Sequence, residues 1–408
     1  MKDPTITKIP RKMFDMESMT ALPEAPVNDG LQYSRCNCEW KPINNIVIGK
    51  YDINTTITNI LSVFKDGTQF VSDDNNINDS TVYNIWYDPH VGNMAIGMKN
   101  SNQLFISRDR GRTFLDISRL TNDLYPASNE SFLYIAFDYL HNHMYATSSD
   151  AYIYILDLNE ETLRFRKLYE DQYATTGMVY HRGTSKIIAV TRDMNNTSTG
   201  FDRVAIIDSI ISSAPTIVNL PHDSGNTSIS YNPVSGVLLT AFDGKHIIAI
   251  SNDAGSTWTG KEIVIDGKQY TLRYNHWKPV VNLDSGAFMF IGKEQGTDNP
   301  FLIETKDFTT YYKIPFIGGS NDTTNIRSIL YNTTYKLYVL VYIDSNKKIT
   351  YVVPNFHDTT IEVSDRIFTV DPIEYGISCA AYMKDQDQMV VCLKDTPNNK
   401  LLYRVAAK

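Results

Sequence analysis

The side chains best suited to holding a ligand lie in a few polar segments of this chain. Arg273, Arg327 and the pair Glu374-Tyr375 each fall just ahead of a strand-like apolar run, and Tyr274, His276, His222 and Asp223 belong to segments of the same kind. Guanidinium, imidazole, phenol and carboxylate groups on polar loops can grip a polar ligand. No Gly-x-Ser-x-Gly elbow, P-loop, dinucleotide fingerprint or His-Glu-x-x-His helix accompanies them. They are candidate ligand-face residues, and no residue is assigned a catalytic role. His141-Asn142-His143 sits in a strand turn with no cysteine or carboxylate at ligand spacing, so neither a metal nor a cofactor is expected.

The elements that must position these residues are strands. The chain has 408 residues, 42% of them apolar, with 26 tyrosines and abundant Asn, Thr and Asp, but no long Ala/Leu/Glu/Lys runs. That composition favours strands and polar turns, and the length calls for several domains or a repeat. Net charge is −8 and basic residues are scattered, so no nucleic-acid partner is expected. No stretch approaches the roughly twenty apolar residues of a membrane span, and no apolar targeting segment follows Met1, so membrane insertion is not expected and synthesis is placed in a cytoplasm.

One unit recurs seven times: an apolar strand, a tight turn, a second apolar strand. Its anchor residue and the first large apolar residue after the turn are seven positions apart in Tyr87/Met94, Phe137/Met144, Tyr180/Ile187, Tyr231/Leu238, Val281/Phe288, Tyr331/Tyr338 and Tyr382/Met389. Successive anchors differ by 50, 43, 51, 50, 50 and 51 residues, near the length of a four-stranded propeller blade. The expected fold is all-β: a seven-bladed β-propeller of four-stranded antiparallel blades over residues 45–408, behind an N-terminal arm and β-hairpin over residues 1–44. In the fourth copy the strands read Ser228–Tyr231, Val237–Phe242, His246–Ser251 and roughly Lys261–Ile265. The last copy stops one strand short, and Asn45–Tyr51 or Ile57–Phe64, within residues 45–80, is expected to supply the missing one and remove an open edge.

The four cysteines are Cys36, Cys38, Cys379 and Cys392. Extending the Tyr382/Met389 register sets Cys379 opposite Cys392, because both index pairs sum to 771. A cytoplasm keeps such thiols reduced.

Two octets share the form Ser-x-Asp-x-Gly-x-Thr-aromatic: Ser107, Asp109, Gly111, Thr113, Phe114 and, 144 residues on, Ser251, Asp253, Gly255, Thr257, Trp258. Each closes the third strand of a unit. Ser and Asp oxygens can accept backbone N–H groups there, glycine allows a positive φ, and the aromatic ring packs under the hairpin. The octets resemble the Asp-box of sialidase-like propellers, in which the box is a folding device on the face opposite the active site. A degenerate form reads Thr305-Lys306-Asp307-Phe308-Thr309-Thr310-Tyr311. Resemblance to that family also raises the alternative of a glycoside hydrolase acting on host surface glycans. Its Arg-Ile-Pro signature is missing, with lysine in Lys8-Ile9-Pro10 and Lys313-Ile314-Pro315, so an enzyme is not the expected reading.

The stretch from Ala25 to Ile43 contains Pro26, Asp29, Gly30, Tyr33, Arg35, Asn37 and Trp40 in the order Ala-Pro-x-x-Asp-Gly-x-x-Tyr-x-Arg-x-Asn-x-x-Trp. It resembles a short module of tail fibres, tailspikes and other appendage proteins of tailed bacteriophages, which has glycine where Cys38 stands. The resemblance implies a structural virion protein, tail-associated or fibre-like, attached through Pro26, Asp29, Gly30, Tyr33, Arg35 and Trp40 to other virion proteins. It also implies a possible homotrimer, synthesis in the host cytoplasm, location in the virion tail or appendage, and a propeller that binds a host surface glycan, another receptor or a neighbouring protein.

Overall fold

The computed structural model describes residues 31–36, 39–47, 68–70, 82–98, 104–110, 115–117, 132–148, 152–160, 163, 165–170, 173–193, 202–208, 214–222, 227–272, 278–297, 300–315, 326–333, 337–343, 349–352, 367–369, 376–383, 388–395 and 400–406. Contacts divide the chain into two compact units, Met1–Thr58 and Asn59–Lys408. In the first, Leu31–Cys36 pairs antiparallel with Glu39–Val47, setting Tyr33 opposite Pro42 and Arg35 opposite Trp40.

The second unit is a series of antiparallel sheets. The first sheet runs Val82–Tyr87, Met94–Met98, Leu104–Ser107, Leu115–Asp116, and the second Phe132–Asp138, His143–Ser148, Tyr152–Asp157, Phe165–Glu170. The third runs Tyr173–His181, Lys186–Asp193, Arg203–Asp208, Thr216–Asn219, and the fourth Thr227–Tyr231, Leu238–Phe242, Ile247–Ser251, Thr259–Glu262. The sixth runs Ile326–Asn332, Leu337–Ile343, Ile349–Val352, Ile367–Thr369. The last consists of Gly376–Met383, Gln388–Asp395 and Lys400–Ala406, with Thr68–Phe70 as its outer strand.

Each anchor residue is the direct cross-strand partner of the residue seven positions on, from Tyr87↔Met94 to Tyr382↔Met389. The polar residue after the anchor explains why the register repeats. The Oδ1 atoms of Asp88, Asp138, Asn232 and Asn282 accept backbone N–H groups two residues on at 2.9–3.0 Å, which turns the chain at a fixed point. In the fourth and fifth sheets a glycine at φ 77° and 73° completes the turn. The turns are also tied to one another. Asn93 Nδ2 donates to Asn142 Oδ1 at 2.7 Å, Asn232 Nδ2 to the Gly286 carbonyl at 2.8 Å, and Tyr331 Oη to Asp284 Oδ2 at 2.6 Å.

The core lies between sheets. In the first strand of the third sheet Met178 and Tyr180 join Ala136, Tyr145 and Ile153 of the second, while Val179 joins Ile229, Leu238 and Phe242 of the fourth. Period-2 alternation therefore buries both faces, and each fully buried large apolar side chain stabilises by roughly 1.5–3 kcal/mol.

Two boundaries differ from the sequence reading. The outer strand of the last sheet is Thr68–Phe70, not Asn45–Tyr51 or Ile57–Phe64. Residues 45–47 belong to the N-terminal hairpin, and residues 48–64 lie outside the described residues. Both candidates are the more apolar runs, but pairing beside Lys400–Ala406 requires backbone groups more than side chains. The fourth strand of the fourth sheet is Thr259–Glu262, not Lys261–Ile265. Val264–Ile265 instead opens a hairpin with Lys268–Leu272 through Asp266-Gly267, whose φ values of 53° and 74° suit a two-residue Asp-Gly turn.

That hairpin enlarges the fifth sheet. Lys268–Leu272 pairs with the end of Phe288–Glu294, and Val280–Val281 with its beginning, so the first strand is split in two. The sheet continues with Pro300–Thr305 and Tyr311–Pro315.

Candidate functional site

Of the candidate ligand-face residues, His222 and Arg327 fall within the described residues; Asp223, Arg273, Tyr274, His276, Glu374 and Tyr375 lie outside them. His222 follows the outer strand of the third sheet, half-buried, with its ring edge-on to Phe242 at 6.0 Å. Arg273, Tyr274 and His276 fall between the two halves of the split first strand of the fifth sheet.

Arg327 occupies a distinctive register position. In its strand the pairing slips by one residue between Ile326 and Ser328, leaving Arg327 as the extra residue of a β-bulge. The same slip occurs at Tyr83, Leu133, Thr176 and Ser378, each four residues before its anchor. Bulges bend a strand and re-aim side chains, and they gather at rims and sites. The five bulged residues are Tyr, Leu, Thr, Arg and Ser, so no residue type announces the feature. The sequence reading missed it for that reason.

The octets lie at the opposite ends of the sheets, where third strands turn into fourth. In the second octet Ser251 Oγ donates to Asp253 Oδ1 at 2.8 Å and accepts the buried Gly255 N–H at 2.9 Å. Asp253 accepts the Thr257 N–H at 2.9 Å and its hydroxyl at 2.7 Å. Trp258 Nε1 closes the turn on the Gly255 carbonyl at 2.9 Å. Burial pushes the Asp253 carboxyl upward, but the hydrogen bonds from Thr257 and Ser251 outweigh it and hold the carboxyl below its ordinary value. In the first octet Ser107 Oγ donates to Asp109 Oδ1 at 2.7 Å; Gly111, Thr113 and Phe114 lie outside the described residues. The Ser251, Asp253, Thr257 and Trp258 side chains all bond within the turn itself.

The histidine turn differs from expectation. His141 Nδ1 lies 2.6 Å from Asp138 Oδ2, and His143 Nε2 lies 3.7 Å from Asp157 Oδ2, so carboxylates do stand beside both rings. They are separate carboxylates three residues before one ring and on the neighbouring strand of the other. Among the described residues no group of three or more His, Cys, Asp or Glu side chains is placed to hold a metal ion.

The third sheet replaces the Asx residue of its turn with His181. Its Nε2 lies 3.3 Å from the Gly236 carbonyl, which can only accept, so Nε2 carries a proton, and Nδ1 lies 2.9 Å from the Thr184 hydroxyl. Burial lowers the pKa of this imidazole, against the hydrogen bond to the Gly236 carbonyl.

No protein-family model matches the sequence, and no curated protein matches it. Solved structures do. Virginiamycin B lyase from Staphylococcus aureus, in complex with quinupristin, aligns with 10% identity over 84% of this chain and 100% of its own, TM-score 0.57. The β-propeller domain of Myceliophteria thermophila Cps50 (Swd1) aligns with 9% identity over 84% of this chain and 99% of its own, TM-score 0.55. YCF48 bound to D1 peptide aligns with 9% identity over 83% and 96%, TM-score 0.52. At such identities the likeness speaks for fold alone: this chain is an all-β protein of four-stranded antiparallel sheets with a β-propeller fold.

Proposed function

We propose that this chain is a structural virion protein of a tailed bacteriophage, tail-associated or fibre-like, held by its N-terminal segment to other virion proteins. Its propeller has seven blades and offers a rigid loop surface to a host surface glycan or to a protein. The observation that carries the attachment role is the run from Pro26 to Trp40, with its phage-appendage pattern; Tyr33, Arg35 and Trp40 fall on the N-terminal hairpin, and Pro26, Asp29 and Gly30 lie outside the described residues. A hairpin of this size cannot bury a core alone and requires a partner.

Two contacts favour seven blades in one ring. The first strands touch in cyclic order, Gly376–Met383 against Val82–Tyr87 included. Thr68–Phe70 pairs with Lys400–Ala406, so the last sheet takes strands from both parts of the chain. Fold alone does not assign the ligand.

Electron microscopy of phage particles labelled with antibody to the propeller tests the reading. Label on tails or appendages is the expected result; particles that never carry the antigen overturn it. In a glycan-binding assay, binding without turnover fits the adhesin, whereas turnover abolished by Glu374→Gln replaces it with a glycosidase.

A further inference from the structure

The pairing of the last sheet sets Cys379 directly opposite Cys392, on its first and second strands. Opposed residues of an antiparallel pair share one face of the sheet, with Cα atoms about 4.5–5.5 Å apart. That lies inside the roughly 4.4–6.8 Å separation a disulfide spans. Cys379 also follows the bulged residue Ser378, where the backbone is already bent and can adjust to the bridge.

We infer that Cys379 and Cys392 form a cross-strand disulfide once the chain meets an oxidising medium. That the chain leaves the reducing cytoplasm rests on the virion reading; the opposition of the two cysteines does not. In the reaction one thiolate attacks a low-molecular-weight disulfide such as oxidised glutathione, giving a mixed disulfide and one glutathione thiolate. The second cysteine thiolate then attacks the protein sulfur and releases the second glutathione. The protein loses two protons and two electrons, and the oxidant takes them up as two thiols.

The position gives the bond a consequence. This sheet is the one in which the outer strand, Thr68–Phe70, comes from the early chain and the other three from its end. A bridge between its first and second strands holds together the sheet on which closure depends, and it does so after folding, when no further strand exchange is needed. Synthesis with free thiols followed by oxidation outside gives a protein that folds without disulfide chemistry and is stapled afterwards.

The test uses the purified full-length chain, equilibrated with oxidised glutathione, alkylated with N-ethylmaleimide and digested without reduction. Mass spectrometry is expected to find the Cys379 and Cys392 peptides joined and two hydrogens lighter than their sum. A Cys392→Ser variant is expected to carry glutathione on Cys379 instead. The melting temperature should rise by about 3 °C or more on oxidation and fall back with reductant. Cys379 and Cys392 both alkylated after oxidation, or joined only to Cys36, Cys38 or another chain, would overturn the inference. Because oxidant is added to the purified chain, failure of the virion reading leaves this readout unchanged.

Discussion

Two of the turns after third strands use nearly the same residues in different ways: Ser251–Trp258 in the fourth sheet and Thr305–Tyr311 in the fifth. In both, the residue after the aspartate is left-handed, Ala254 at φ 56° and Phe308 at 59°. In both, the leading hydroxyl accepts an N–H from the corner: Ser251 Oγ takes Gly255 N at 2.9 Å, and Thr305 Oγ1 takes the buried Phe308 N at 3.0 Å. The aromatic that follows donates to a corner carbonyl in each, Trp258 to Gly255 and Tyr311 to Phe308. The fourth-sheet turn has a glycine to share the left-handed geometry, at φ 89°, and the fifth-sheet turn has none. Hydroxyl and carboxylate are common to both turns, whereas the fifth sheet does without the glycine and buries Phe308 against Phe288.

If that burial holds the strained corner, removing it has the largest effect. Phe308→Ala keeps the left-handed residue and loses the ring, and is expected to cost about 3 kcal/mol of stability by denaturant titration. An unchanged midpoint would show that the ring does not hold the corner. Next come the hydroxyls. Ser251→Ala leaves the buried Gly255 N–H without its acceptor and should cost about 1–3 kcal/mol. Thr305→Ala, which strands the Phe308 N–H and frees the Thr310 carbonyl that its hydroxyl meets at 2.8 Å, should cost a similar amount. Equal losses sharpen the equivalence of the two turns; a loss in only one breaks it.

The sequence carried the octets and the anchor register because both rest on residue types at fixed spacing. Seven anchors repeat, and each turned out to face its partner. The degenerate octet was readable for the same reason, since Asp307 and Thr305 are the groups that accept the backbone. The Asx residue after the anchor, at positions 88, 138, 232 and 282, shows its role only through the backbone N–H groups it accepts. The bulges were not legible, because a register slip is decided by pairing between strands and is filled by Tyr, Leu, Thr, Arg or Ser alike. The outer strand of the last sheet was misplaced by several residues because edge pairing asks little of side chains. The candidate ligand residues share only their type and a place in polar loops, and two of them, His222 and Arg327, fall within the described residues.

Acid acts on both turns in the same direction, because both carboxyls are held below their ordinary value. Asp307 accepts the Thr310 and Thr309 N–H groups at 2.7 and 2.9 Å, and these bonds hold its carboxyl down to about 2. A carboxyl with a lower pKa folded than unfolded lends stability above its unfolded pKa, near the ordinary value of 3.8, and loses it as pH falls toward the folded one. The stability difference between wild type and Asp307→Asn should therefore be constant above about pH 5 and shrink between about pH 4 and pH 2. Because the side chain is exposed, solvent screening keeps the effect small. A difference that stays flat to pH 2 would mean the N–H bonds to Asp307 do not form.

The smallest effect has the opposite sign. Ala254 at φ 56° carries a Cβ in a region that disfavours it by roughly 1–2 kcal/mol, and glycine removes that penalty while adding flexibility to the unfolded chain. Ala254→Gly is therefore expected to stabilise by roughly 0.5 kcal/mol. The same change at Phe308 should destabilise, because the relieved backbone strain is smaller than the apolar burial lost. Opposite signs from one substitution at matching corners, read as two denaturation midpoints, would fix the division of labour between backbone and ring. If both variants gain stability, Phe308 is merely tolerated at its corner, and the fifth sheet lacks the compensation assigned to it.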